Sequence, residues 1–383
     1  MKLKVCIIEP VGGHGGMDYY DSGLCGGLSI AGVDVVLHTS DFLTKNGVNN
    51  FDVRPSFRGV YRGKSKLKKG FLFLKGSLVS LISAVLESRK IVHFHLFNVG
   101  VTSAFNIFLA KLLLRKIVIT AHDVESFVSE VEMPLLSKVV YRLADRVIAH
   151  NVISKTELLR CMKIPESKIK IISSGNYIEI AKGAPSREVS RGLLNINPTS
   201  KVILFFGQIK EVKGLELLLK ALPGVIKAHP EATLLIAGRP WKTTFSKYQK
   251  LIDELAISEA CIIHLRFIPD NELPWYYAAS DIVALPYKRI YQSAVVLMAM
   301  SFGRAVIVSD LPGMMEIVSA PHVGRVFESG NSKALEDQLI SALADNATRT
   351  DHARNGLLHM KEKYSWELIG VSTSELYSEI LSR

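Results

Sequence analysis

Twice in this chain a short apolar run ends in glycines and passes directly into a helical pattern. The first is Lys2 to Glu9, followed by Gly12, Gly13, Gly15 and Gly16 and then a helical stretch from Tyr19 to Ala31. The second is Val202 to Phe206, followed by Gly207-Gln208-Ile209-Lys210-Glu211-Val212-Lys213-Gly214 and a helix from Leu215 to Ala228. Further strand-like runs come at Val33 to His38, Ile91 to Phe97, Ile117 to Thr120, Arg146 to His150, and Ile169 to Ile172. In the second half they come at Thr233 to Ala237, Cys261 to His264, Asp281 to Leu285, and Ala305 to Val308. Helical segments separate most of them. Strands joined through helices pair in parallel, with helices covering the sheet. The expected fold class is therefore α/β, with two doubly wound Rossmann-like domains whose glycine loops face each other across a cleft.

A length of 383 residues suits two domains of ordinary size. The stretch from Glu179 to Ser200 is rich in Gly, Pro, Ser and Asn and is expected to link them, with a short helical piece near Val189 to Leu194. The expected division is residues 1–177 for the first domain and 178–365 for the second. A final amphipathic helix over 366–383 packs back on the first. The four cysteines, Cys6, Cys25, Cys161 and Cys261, are far apart and form neither a disulfide framework nor a zinc motif, which points to a reducing compartment. The opening MKLKVCIIEP suits a first strand better than a secretory leader.

The net charge of +11 is unevenly placed. Through Gly175 there are 24 Lys/Arg against 14 Asp/Glu, a net of +10; the remainder has 23 against 22. The densest part is Arg54 to Lys75, with eight basic residues and no acidic one. Arg62, Lys64, Lys66, Lys68 and Lys69 lead into an apolar helix, Phe71 to Leu86, of some sixteen residues, shorter than the roughly 20 a membrane span needs. A core helix is one reading. The other is a basic, aromatic-bearing segment lying on an anionic membrane surface or meeting an acceptor. No RNA-binding motif accompanies the basic run, so nucleic acid is not an expected partner.

Four places carry candidate chemistry. Gly12-Gly13-His14-Gly15-Gly16 lets a backbone approach a ligand, but the third glycine of a dinucleotide fingerprint is missing. Ile117 to Thr120 runs into Ala121-His122-Asp123, which puts His122 at a strand's carboxyl end, where ligands bind in open α/β sheets. His93 and His95 share one face of their strand, as half a metal site or as buried imidazoles. Fourth, Pro286 to Val318 reads as loop, helix, strand, loop and helix. Its polar loop, with Lys288, Arg289, Gln292 and Ser293, enters a helix at Ala294 and so forms an anion site suited to phosphate.

Taken in order, several motifs resemble those of the retaining family 4 glycosyltransferases of GT-B fold. They are Gly207-Gln208 through Lys213-Gly214, Ile236-Ala237-Gly238, Phe267-Ile268, Ala279-Ser280-Asp281-Ile282, Ala299 through Ile307, and Gly313 to Glu316. Gly15-Gly16 and His122-Asp123 match in the first half. The resemblance spans nearly the whole chain and implies GT-B architecture, with an acceptor-binding first domain and a donor-binding second. It implies a hexosyltransferase-type enzyme (EC 2.4) moving a sugar, with retention, from a nucleotide-diphosphate sugar to a saccharide or lipid-linked acceptor in polysaccharide or glycolipid synthesis. Such a protein would be cytoplasmic and peripheral on the inner face of the membrane.

By the same resemblance, Lys213 neutralises the donor diphosphate and His122 contacts the transferred sugar or stabilises the transition state. Gly15 and Gly16 border the donor phosphate, and Phe267 and Ile268 flank the base. Gln208 stands where an arginine is usual, with Arg239, Lys288 or Arg289 to compensate. Ile290 and Met298 stand where such enzymes commonly carry two glutamates, which defines a subgroup without that pair. No Asp-x-Asp pair occurs, so a metal-independent mechanism with no cofactor is expected. The missing carboxylates also motivate an alternative, a non-catalytic GT-B sugar-nucleotide-binding or partner subunit.

Overall fold

The computed structural model describes residues 2–13, 17–40, 50–61, 65–122, 133–242, 244–290, 292–318, 320 and 322–382. Gly15, Gly16, Arg62, Lys64 and Asp123 lie outside them. The chain forms two compact units. One comprises residues 1–175 together with 364–383, and the other residues 176–363.

In the first unit the elements run β1 (Lys4–Ile8), α1 (Met17–Ile30), β2 (Asp34–His38), β3 (Asp52–Arg54), α2 (Lys66–Leu86) and β4 (Ile91–Leu96). They continue with α3 (Val101–Leu112), β5 (Lys116–Ala121), α4 (Pro134–Leu143), β6 (Arg146–Ala149), α5 (Val152–Met162) and β7 (Ile169–Ile171). The sheet order is β3-β2-β1-β4-β5-β6-β7, and every pairing is parallel. Alternation along β1 splits the core between the two sheet faces. Val5 and Ile7 pack with Leu24 and Leu28, while Cys6 and Ile8 pack with Leu81 and Ile107. Strand order reverses between β1 and β4, and the carboxyl ends of β4, β5 and β6 deliver Leu96, His122 and His150 to one edge.

The second unit contains α6 (Ile178–Ala181), α7 (Arg187–Leu193), β8 (Lys201–Phe206), α8 (Leu215–Ala228), β9 (Ala232–Ala237), α9 (Ser246–Glu254), β10 (Cys261–His264) and α10 (Leu273–Ala279). After these come β11 (Ile282–Leu285), α11 (Ala294–Ser301), β12 (Ala305–Ser309), α12 (Pro312–Val318), β13 (Arg325–Phe327), α13 (Ser332–Ala344) and α14 (Asn346–Lys363). Its parallel sheet runs β10-β9-β8-β11-β12-β13, with the reversal between β8 and β11. The final helix, α15 (Trp366–Leu381), returns to the first unit and packs along α1. The Trp366 ring fills the space above Gly23 and Gly175, and Gly27 lies against Gly370, where a side chain on either would collide with backbone.

Two expectations are corrected here. The stretch 179–200, expected as a linker with a short helical piece near Val189 to Leu194, belongs to the second unit, and the expected piece is α7. The stretch carries α6 and α7, and Arg191 on α7 is buried with its guanidinium on Asp281 at 3.0 Å and on the Ala279 carbonyl at 3.1 Å. Gly- and Ser-rich composition resembles a linker, but a buried arginine that donates from each of its three side-chain nitrogens anchors the segment. The helix expected from Phe71 begins at Lys66, because Ser65 caps it by accepting from the Lys68 amide. At 21 residues α2 is long and apolar enough to cross a membrane by length and composition. Here it lies on the domain, with Gly76, Ser77, Ser80, Leu81 and Ala84 buried.

Candidate functional site

In the second unit three sequence segments meet at the carboxyl ends of β8 and β11, the pair of strands at which the strand order reverses. Gly207 leaves β8 at φ +99°, a conformation that glycine adopts without strain. The chain then turns through Glu211–Lys213 and reaches α8 through Gly214, at φ +64°. The Lys213 ammonium folds back over this turn. A β-carbon placed on Gly207 would sit 2.9 Å from Lys213 Nζ and 3.7 Å from a methyl of Val295, in the first turn of α11. The same ammonium is 5.3 Å from the centre of the Tyr287 ring. Lys213, Tyr287 and the start of α11 therefore border one spot. Ser293 caps α11 with no side-chain hydrogen bond, so the opening amides of the helix have no intrahelical acceptor. A cation and a helix N-terminus on one spot suit a phosphate.

The two loops are tied by backbone. The Lys288 amide donates to the Val212 carbonyl at 2.8 Å, and Gly214 presses so closely on Pro286 that an added β-carbon would lie 1.9 Å from its oxygen. Gly238 similarly faces the Gly207 carbonyl.

The other expected residues divide. Gln208 and Arg239 are exposed beside the β8 and β9 ends, and Ala294 is exposed at the start of α11, whereas the Ser293 side chain is buried and Gln292 is half-buried. Phe267 is 70% exposed, while Ile268 is 7% exposed; the Ile268 side chain is turned inward, so only its backbone is offered. Lys288, expected as a spare cation, is ion-paired with Glu216 on α8. Ile290 and Met298 are both half-buried.

In the first unit His122 follows β5, its amide donating to the Leu96 carbonyl at 2.8 Å. Its ring stacks on Phe97 at 4.8 Å between centroids and meets the edge of Tyr20 at 4.7 Å. His95 and His150 lie at 5.4 and 5.1 Å. His150 Nε2 is 3.3 Å from His122 Nδ1, and His150 Nδ1 is 3.0 Å from the Ile172 carbonyl. Burial holds the His122 imidazole well below the usual histidine range, with the neighbouring His150 acting in the same direction. Burial likewise pushes His95 and His150 down to about 4. All three are neutral rings at neutral pH. His93 is closed off below them, hydrogen-bonded to Tyr377 and Thr120 at 2.7 Å each.

Under the same edge sits a carboxyl pair. Glu9 accepts from the amides of Val11 and Gly12 at 2.9 and 2.6 Å, which shapes the start of the glycine-rich loop. Burial, then the Asp21 carboxylate beside it, pushes Glu9 up to about 8. Asp21 is buried and lies 2.9 Å from His95 Nδ1. Sequence reasoning passed over Glu9, Asp21, Tyr20 and His150 as site residues. For His150 a signal existed: it ends β6 as His122 ends β5, so the same strand-end rule applies to both.

The basic helix presents a third surface. Lys66 and Lys68 are exposed and Lys69 is half-buried. Leu67, Phe71, Leu74, Leu78 and Ile82 are exposed along α2 at helical spacing, and Val101, Phe105, Phe108 and Leu112 continue the apolar surface on the adjoining α3.

The family described as Glycosyltransferase Family 4 matches residues 14–176, and the family described as Glycosyl transferases group 1 matches residues 186–358. A D-inositol 3-phosphate glycosyltransferase from Corynebacterium glutamicum is 24% identical over 397 residues, covering 97% of this chain and 93% of that protein. Among solved structures, sucrose-phosphate synthase from Thermosynechococcus elongatus superposes with a TM-score of 0.76 at 18% identity, over 100% of both chains. The Anabaena protein HepE, solved in complex with UDP, gives 0.76 at 19% identity, covering 98% of this chain and 100% of that one.

Proposed function

From the premise that this chain is a glycosyltransferase of the GT-B type, with a family 4 domain followed by a group 1 domain, we propose that it transfers a hexosyl group from a nucleotide-diphosphate sugar, with retention and without a metal ion, to a saccharide or lipid-linked acceptor. The observation that carries this reading is the placement of Lys213 beside Gly207, Tyr287 and the first turn of α11. As the glycosyl–oxygen bond breaks, negative charge gathers on the leaving diphosphate. The Lys213 ammonium and the opening amides of α11 stabilise that charge where it develops. A lysine already positioned there supplies the positive charge that a divalent ion would otherwise contribute. HepE was solved with UDP, and with UDP-glucose, which supports a nucleotide sugar as donor.

In the first unit a neutral His122 at the end of β5 accepts a hydrogen bond from a hydroxyl of the transferred sugar. The basic, apolar face of α2 and α3 carries the protein onto an anionic membrane, where a lipid-linked acceptor resides. The lysines meet the headgroups, while Leu67 and Phe71 enter the interface. Growth of a polysaccharide or glycolipid on the inner face of a cell membrane fits this arrangement.

The test is transfer by purified protein from a panel of UDP- and GDP-sugars to lipid-linked acceptors, with and without EDTA, reading the product anomer by NMR. Transfer with retained configuration, insensitive to EDTA and lost in Lys213→Ala and His122→Ala, supports the reading. Donor binding with no turnover on any acceptor in the panel would replace it with a non-catalytic sugar-nucleotide-binding subunit.

A further inference from the structure

We propose that His150 is a positioning residue that decides which nitrogen of His122 carries the proton, leaving His122 Nε2 as a hydrogen-bond acceptor. The inference rests on the reading that His122 meets the transferred sugar, and it adds a residue and a protonation pattern to that reading.

The argument starts at a backbone oxygen. The Ile172 carbonyl can only accept, and it lies 3.0 Å from His150 Nδ1. That nitrogen therefore carries hydrogen. His150 is 3% exposed and neutral, so its second nitrogen, Nε2, holds a lone pair. His122 Nδ1 lies 3.3 Å from this lone pair and must be the donor. His122 is neutral as well, so its one ring hydrogen is spent on His150. His122 Nε2 is then unprotonated, and it has no hydrogen-bond partner among the described residues. The relay runs in one direction: the carbonyl fixes His150, and His150 fixes His122. Phe97 stacked on one face and Tyr20 at the edge hold the plane of the ring.

This protonation pattern has a consequence for recognition. An acceptor-only nitrogen takes a hydrogen bond from a hydroxyl group and has none to give to a phosphate or carbonyl oxygen. His122 thereby discriminates in favour of a sugar hydroxyl and against anionic groups. The opposite tautomer would donate, and would favour phosphate.

The experiment uses the full-length protein labelled with 15N-histidine and reads the two ring nitrogens of His122 by NMR, assigned through His122→Gln. In the wild type the expected result is a single tautomer protonated at Nδ1. His150→Gln retains an amide N–H for Ile172 and an oxygen for His122, so it keeps that tautomer. His150→Phe keeps a ring but has no acceptor, so the Nε2-protonated form appears. In turnover assays His150→Phe lowers kcat on the order of tenfold or more, with donor KM little changed, and His150→Gln restores most of it. A wild-type His122 protonated at Nε2 overturns the proposal, whatever the variants do. So does a His150→Phe protein whose His122 tautomer is unchanged. The tautomer is read without turnover, so a protein that transfers no sugar overturns the proposed function while the protonation pattern is still decided.

Discussion

The Lys288 side chain is ion-paired with the carboxylate of Glu216, in the first turn of α8, beside the proposed phosphate site. Both partners are partly exposed, at 39% and 22% of the side chain, so solvent screens the pair and its contribution to stability is small. Its effect is on charge: Lys288 is paired with a carboxylate, whereas Lys213 has no ion pair among the described residues. Lys213→Ala is expected to lower kcat/KM for the donor by about 100-fold or more, the scale seen when a preorganised transition-state donor is removed. Lys288→Ala is expected to cost less than about tenfold. Glu216→Gln leaves Lys288 charged and should tighten nucleoside diphosphate binding a few-fold at low ionic strength, an effect that salt removes. Donor kinetics of Lys213→Ala and Lys288→Ala check the order, and calorimetric titration of Glu216→Gln with UDP and GDP checks the tightening.

Gly214 tests whether the two loops form one rigid seat. It sits at φ +64°, and a β-carbon there would lie 1.9 Å from the Pro286 oxygen. Gly330, in the same unit, has φ +83° with nothing within 4 Å of an added β-carbon. Gly330→Ala therefore measures backbone strain alone, about 1–2 kcal/mol. Gly214→Ala adds a collision with backbone and should cost more, with weaker donor binding as the Lys288–Val212 hydrogen bond is displaced. Urea unfolding of both variants, each with a donor titration, gives the comparison. Equal losses in the two would show that the loops give way freely.

The parts of this site that could be read in the sequence follow strand periodicity. Gly207 and His122 each follow a short apolar run and so fall at the carboxyl end of a strand, each in its own unit, whereas Lys213 is singled out only by the family resemblance. The parts that could not be read depend on partners distant in sequence. Nothing local to Lys288 announces Glu216, and nothing local to Asp281 announces Arg191. Composition also misled at 179–200, where Gly and Ser suggested a linker and one buried arginine made an anchored segment. The start of α2 was missed because the apolar pattern begins at Phe71, whereas the helix begins at the Ser65 cap. His150 was legible and overlooked, since its strand end lacks the adjacent aspartate that drew attention to His122.

The surface of α2 gives a two-part expectation. Each exposed lysine near an anionic bilayer contributes on the order of 1 kcal/mol. Changing Lys66, Lys68 and Lys69 to Gln should therefore lower binding to vesicles containing phosphatidylserine by roughly 100-fold, and about 0.5 M salt, roughly three times physiological ionic strength, should weaken wild-type binding in the same direction. Leu67→Ser with Phe71→Ser should weaken binding even where charge is intact, because burial of those side chains is not screened by salt. Sedimentation with anionic and with neutral vesicles separates the two. Equal sedimentation of the lysine variant and the wild type would remove the membrane from the account.

The buried histidines set the acid limit of the first unit. Burial, aided by the neighbouring Arg54, pushes His38 down to about 4, and burial brings His95 and His150 to about the same value. The unfolded chain binds a proton on each near 6.5, so between these values the unfolded state holds more protons. Stability is thus fully present above about pH 6.5 and is lost as pH falls towards 4. At pH 5 the loss is about 2 kcal/mol for each histidine, with mutual repulsion making the sum inexact. Glu9 acts in the opposite direction. Its carboxyl is held up to about 8, so the folded state keeps a proton that the unfolded chain releases near 4.5. Its contribution is present at low pH and is lost as pH rises from about 4.5 to 8. The first unit should therefore be most stable near pH 6 to 7, and less so on either side. Hydrogen exchange of β4 and β5 peptides, set against β8 and β9 from the second unit, measures this without assuming that the whole chain unfolds in one step. His38→Gln should flatten the acid side only, since His38 is one of the depressed groups. Glu9→Gln should flatten the alkaline side, at the cost of one of its two backbone hydrogen bonds, because an amide nitrogen cannot accept. Exchange in β4 and β5 that does not change from pH 7 to 5 would show that these rings are reached by water and titrate normally.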